Sequence, residues 1–116
     1  MTLTQECKFI VYSHKRPDTN EIFYIGISRS RRNEKVNSRK YSRAYTSSGR
    51  NKIWKDIVNK NFGKFNVEIL YEFDNLEQTC LKEIELVSQY KRKIDGGQLA
   101  NISFGGEKIY EGIVYP

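Results

Sequence analysis

Residues 21–28 read Glu-Ile-Phe-Tyr-Ile-Gly-Ile-Ser, EIFYIGIS, and residues 8–14 read KFIVYSH, with KRPDTN between them. Both runs are rich in β-branched and aromatic residues, and the Pro, Asp and Asn of the intervening segment are turn formers, so the pair predicts an antiparallel β-hairpin. Each strand carries one tyrosine. Alternate residues of a strand share a face, which groups Ile10 with Tyr12 and Ile22 with Tyr24 and Gly26, and an antiparallel register can set both phenols side by side. A buried phenol needs a partner, so two together suggest a site. Gly26 then leaves room beside Tyr24 for a backbone or a ligand to approach.

Residues 28–48 are polar and basic, and Tyr41, Ala44 and Tyr45 at helical spacing predict a short helix entered from a long basic loop. A second helix is predicted from about Asn51 to Asn61, with Ile53, Trp54, Ile57 and Val58 as its apolar stripe and the glycine of NFGKF ending it. Trp54 is expected in the core. Val67, Ile69 and Tyr71 alternate with polar residues as a third strand. Asp74 or Asn75 can cap a long helix running to about Lys93, broken by Gly96-Gly97. The segment LANISFGGE then forms a glycine-bearing turn. His14, at the turn of the hairpin, is expected to be exposed and is given no role. The elements describe one domain, with a core over about 8–107 and a tail over 108–116.

In the long helix, at roughly 100° per residue, Leu76, Ile84, Val87 and Ile94 fall within about 40° of Cys80, and Glu83 lies about 60° away, on the apolar side. Glu85 lies about 140° away, toward solvent. A carboxylate on an apolar face is costly unless a cation or donors meet it, so Glu83 is either a functional acid or one half of a structural ion pair.

The charge balance narrows the partners. Twenty Lys and Arg against 14 Asp and Glu give a formal net charge of +6. Between Arg29 and Lys60 stand eleven Lys or Arg with only Glu34 and Asp56 opposing them. Such asymmetry favours a polyanion, nucleic acid before anionic membrane, over a merely solvated basic face. Two cysteines without a CxxC spacing and a single histidine indicate neither a zinc site nor a disulfide framework. A reduced, cytoplasmic setting is the corresponding expectation. The start of the chain lacks a signal pattern, and no apolar run approaches ~20 residues, so neither secretion nor a membrane span is expected.

Taken together, Ile10-Val11-Tyr12, Tyr24-Ile25-Gly26, the basic segment, the inward Glu83 and NISFGGE resemble the GIY-YIG endonuclease family, in order and spacing, from Phe9 to about Glu107. The second half-motif is literal. The first departs from the pattern at Ile10 and Val11. The resemblance implies a small α/β domain of the α+β type, a three-stranded antiparallel sheet flanked by helices. It also implies divalent-metal-dependent hydrolysis of DNA phosphodiesters, of the sort found in mobile elements, phages or restriction systems. By the same resemblance Tyr12 and Tyr24 are the motif tyrosines, Glu83 the ligand of Mg²⁺ or Mn²⁺, and Asn101 the asparagine that secures the turn containing Gly105 and Gly106. Arg43 is the chosen catalytic arginine, with Arg39 and Arg50 as alternatives.

In that scheme Tyr12 takes a proton from the attacking water, provided that positive charge from Lys15, Arg43 or the metal depresses its pKa of about 10. Tyr24 would hydrogen-bond the water or phosphate. Arg29, Arg31, Arg32, Lys35, Arg39, Lys40 and Arg50 would follow the DNA backbone. One site per chain makes a homodimer a route to cutting both strands, and a binding module of the same fold without catalysis is the alternative function.

Overall fold

The computed structural model describes residues 8–29 and 42–105. Of the sequence-predicted contacts to DNA, Arg31, Arg32, Lys35, Arg39 and Lys40 lie outside these residues, as do Gly106 and Tyr41.

The protein is a small α/β domain built on a three-stranded antiparallel sheet flanked by helices. Strand β1, Phe9–Lys15, is central, with β2, Ile22–Arg29, on one side and β3, Asn66–Phe73, on the other. Five consecutive residues of β1 are buried, because helices cover both faces of the sheet and the polar half of the usual alternation has no water to meet. The β-branched and aromatic content of FIVYSHK suits that position.

Helix α1, Ser42–Tyr45, is a single turn. Helix α2, Lys52–Lys60, starts at Asn51, whose side chain accepts from Trp54 N at 2.8 Å, a cap that satisfies one of the donors every helix start leaves open. Helix α3, Leu76–Tyr90, starts in the same way at Asn75, which accepts from Gln78 N at 2.8 Å. Val11 and Ile25 pack with Leu86, Val87 and Leu99 beneath α3. On the other face Ile10, Tyr12 and Ala44 form a second cluster. Phe23, Trp54, Ile57, Val58 and Ala100 form a third around α2. Phe23 is the extra residue where the register passes from His14↔Tyr24 to Lys15↔Ile22, and such a bulge re-aims a side chain that strict alternation would have sent elsewhere.

One boundary and the exposure of one strand differ from the sequence expectation. Helix α3 stops at Tyr90 rather than near Lys93, because Lys91 turns left-handed at φ 65° and its carbonyl accepts from Gln98 N and Leu99 N, each at 3.0 Å. Gly97 sits so close that a Cβ there would lie 2.2 Å from that carbonyl oxygen. Ile94, assigned by extrapolation to the buried face, is consequently 57 % exposed, in a 3-10 turn at 93–95. In β3, Ile69 and Tyr71 remain 44 % and 42 % exposed, since the strand lies at a sheet edge and its register shifts opposite Val11 and Tyr12. Among the described residues no helix is long and apolar enough to cross a membrane.

Candidate active site

The hairpin register places Tyr12 opposite Gly26 and Tyr24 opposite His14, so the two phenols share a face on a diagonal, with ring centroids 6.4 Å apart. The space that Gly26 leaves is filled from across the sheet. A Cβ there would lie 2.5 Å from both Cζ and the hydroxyl of Tyr12, so the glycine accommodates the Tyr12 ring rather than a ligand or backbone beside Tyr24. Tyr12 is 1 % exposed, and Tyr24 is half-buried.

The arginine joined to this pair is Arg50. Its Nη1 donates to the Tyr12 hydroxyl at 3.1 Å, and its Nη2 donates to the carbonyls of Arg43 at 2.7 Å and Thr46 at 3.0 Å. Nε donates to Thr46 O as well, at 3.1 Å. The guanidinium carbon lies 5.1 Å from the centroid of the Tyr24 ring and 5.5 Å from that of Trp54, within cation–π range. Arg50 is buried; Arg43 is exposed, and its Nη1 donates to Ser48 O at 2.9 Å. Arg43 thus contributes a carbonyl to Arg50 rather than a guanidinium to the tyrosines, and Arg39 lies outside the described residues. The sequence held one signal for this: Arg50 immediately precedes the cap of a helix whose first turn buries Trp54, which draws residue 50 inward.

Burial raises the pKa of Tyr12 above its ordinary 10.0, and it outweighs the opposing pull of Arg50. Lys15, which was expected to help depress it, pairs with Glu68 at 2.6 Å. Tyr12 is therefore a neutral phenol at ordinary pH, its oxygen accepting from Arg50.

His14 is fully buried, not exposed at the turn. Trp54 Nε1 donates to its Nδ1 at 2.9 Å, which leaves Nε2–H to donate to Ala44 O at 2.7 Å. One imidazole thereby joins β1 to α1 and α2. Burial is the main reason its pKa falls to about 3, the backbone bond to Ala44 opposing and the charges of Arg50 and Arg43 adding to the fall. No local signal marks this role, because both partners lie 30 or more residues away.

The C-terminal segment closes the free edge of β2. Ala100 N donates to Phe23 O, and the Asn101 side chain makes both bonds of a missing strand partner to Ile25, accepting from its N at 3.1 Å and donating to its O at 2.8 Å. Asn101 is buried, and both the oxygen and the nitrogen of its amide take part in this clasp. Four residues on, Gly105, at φ +98°, lies against Glu83, and a Cβ there would approach the carboxyl carbon and Oε1 to 3.0 Å. Glu83 is buried, and Glu85 is exposed and paired with Lys82 at 3.1 Å, the division that helical geometry requires.

The tyrosines and Arg50 thus stand on the sheet face toward α1 and α2, while Glu83 belongs to the helix on the opposite face. Residues 99–105 run round the β2 edge between them. Arg29, at the end of β2, is exposed. Among the described residues no group of three or more His, Cys, Asp or Glu is placed to hold a metal. A hard cation there would have the Glu83 carboxylate, with Gly105 packed against it, as its acidic ligand and would keep most of its positions for water and phosphate oxygen.

Comparison with known proteins returned no family model, no curated protein and no solved structure that matches the chain.

Proposed function

We propose that this chain is a divalent-metal-dependent DNA endonuclease of the GIY-YIG type. The observation that carries the reading is the pair of hairpin tyrosines packed over Gly26 and joined to a buried arginine, with the asparagine clasp and Gly105 bringing a turn against the Glu83 carboxyl.

In this reading Tyr24, which is half-buried, is the phenol that meets the attacking water or a nonbridging phosphate oxygen. Tyr12 is a positioning residue: its raised pKa works against a role as base, and its bond to Arg50 holds the guanidinium beside the Tyr24 ring. Water adds to phosphorus, the P–O bond to the leaving sugar oxygen breaks, and the proton given up by water is balanced by the one that oxygen takes up. A divalent cation held at Glu83 would neutralise charge on the phosphate and the leaving oxygen. Exposed Arg29 and the basic residues 31–40 supply phosphate contacts in a reduced, cytoplasmic setting, and a homodimer would allow both strands to be cut.

Supercoiled plasmid incubated at low salt with the protein should be nicked or linearised with Mg²⁺ or Mn²⁺ and left intact with chelator. Tyr24→Phe should slow the cut by roughly 10²-fold, the lower end of what a positioned proton-transfer or hydrogen-bonding group contributes. Plasmid that stays intact, with a mobility shift that persists, would favour the second reading, a DNA-binding module without catalysis. The placement of Glu83 on the helix opposite the tyrosine face is the observation that speaks for that reading.

A further inference from the structure

Helix α2 ends in a Schellman motif. Phe62 N donates to Asn59 O at 3.2 Å and Gly63 N to Val58 O at 2.9 Å, the two bonds that define it. The position that must turn left-handed in this motif is normally glycine. Here it is Phe62, at φ 61°, and the glycine stands one place later. A phenylalanine there meets the Cβ penalty of left-handed backbone. No packing of the side chain offsets that penalty, because the residue is 91 % exposed. The turn itself is fixed, with buried Asn61 donating from Nδ2 to Ile57 O at 3.0 Å. A rigid turn therefore projects a bare phenyl ring into solvent at a conformational cost, and strain of this kind points to function rather than folding.

The sequence around Phe62 is cationic. Lys60 and Lys64 stand two residues to either side of it, both exposed, and neither forms an ion pair with a described carboxylate. The exposed side of α2 adds Lys52 and Lys55. The acid of that helix, Asp56, is already paired with Lys52 at 3.1 Å. An apolar π-face between two lysines matches a nucleobase between two phosphates.

We propose that Phe62 is a stacking platform for an unpaired base of DNA, with Lys60 and Lys64 holding the phosphates on either side. The inference rests on the nucleic-acid partner of the function proposed above and adds the form in which that partner is held: a strand with at least one base out of the duplex, as at a nick, a flap or a locally opened site. Every base has a π-face, so the contact tolerates any sequence.

The test is Phe62→Gly, measured against a single-stranded oligonucleotide carrying 2-aminopurine and against the matching duplex. Affinity for the single strand should fall roughly 5- to 100-fold, the range that loss of one base–aromatic stack produces. The slope of log affinity against log salt should be unchanged, since no charge is lost, whereas Lys64→Ala should lower it by about one phosphate contact. The thermal midpoint of Phe62→Gly should hold or rise, because glycine accepts positive φ without strain, and Phe62→Trp should restore binding. A variant that binds the single strand within twofold of the parent would overturn the inference, and a change of solution mass with unchanged DNA affinity would assign the ring to a protein contact instead. If the parent binds and nicks DNA and the variant does both equally well, the inference alone fails. If the parent binds no DNA, the proposed function fails and takes the inference with it.

Discussion

Gly26→Ala should destabilise the domain by about 3 kcal/mol, the upper part of the range for overpacking a core, and lower the thermal midpoint by roughly 12 °C. The added methyl would lie 2.5 Å from Cζ and the hydroxyl of Tyr12, well inside van der Waals contact. A flexible surface side chain would swing away, but Tyr12 is 1 % exposed and its oxygen is bonded to Arg50 at 3.1 Å. Moving the ring therefore strips a buried guanidinium of one acceptor, a further cost to the fold. Thermal unfolding of Gly26→Ala in the parent and in a Tyr12→Leu background checks the cause. The shorter side chain should remove most of the penalty. Equal penalties in both backgrounds would show that the close approach is not responsible.

Acidification from pH 7 to pH 5 should cost about 2 kcal/mol of stability through His14 alone, roughly 8 °C in the thermal midpoint. The imidazole titrates at about 3 in the fold against 6.5 for an ordinary histidine. Below pH 6.5 the unfolded chain binds a proton that the native state refuses, so stability falls progressively as the pH drops toward 3 and is fully present above 6.5. Refusal has a structural cause: Nδ1 must stay unprotonated to accept from Trp54, and the ring lies within a fully buried site near Arg50 and Arg43. His14→Gln should be less stable at neutral pH and should flatten the slope between pH 5 and pH 7. Thermal melts at half-unit intervals read both effects, and a parent curve as flat as the variant's would contradict the assignment.

Much of the fold was legible because its signals are local. The β-branched and aromatic content of KFIVYSH and EIFYIGIS, the stripe of Ile53, Trp54, Ile57 and Val58, and the cap offered by Asp74 or Asn75 each act within a few residues, and β1, β2, α2 and the start of α3 follow from them. Helical periodicity also separated Glu83 from Glu85. What the sequence hid depends on contacts between distant segments. The burial of His14 needs Trp54 and Ala44, and the choice of Arg50 over Arg43 needs the carbonyls of 43 and 46 to turn toward the sheet. The end of α3 was misplaced because Lys91, an ordinary helix former, adopts φ 65° to receive the returning chain at 98–99. Gly26 was recognised as a place of close approach, but the group that approaches it, Tyr12, follows only from the register.

Glu83→Gln in the plasmid assay shows whether Glu83 holds the metal for phosphodiester hydrolysis. The substitution keeps the shape beside Gly105 and removes the charge that would bind the cation. Checked for an unchanged fold, the variant should lose nicking in both Mg²⁺ and Mn²⁺ while still shifting DNA in a gel. Cleavage at the parent's rate, with the same dependence on metal, would mean that Glu83 does not hold it.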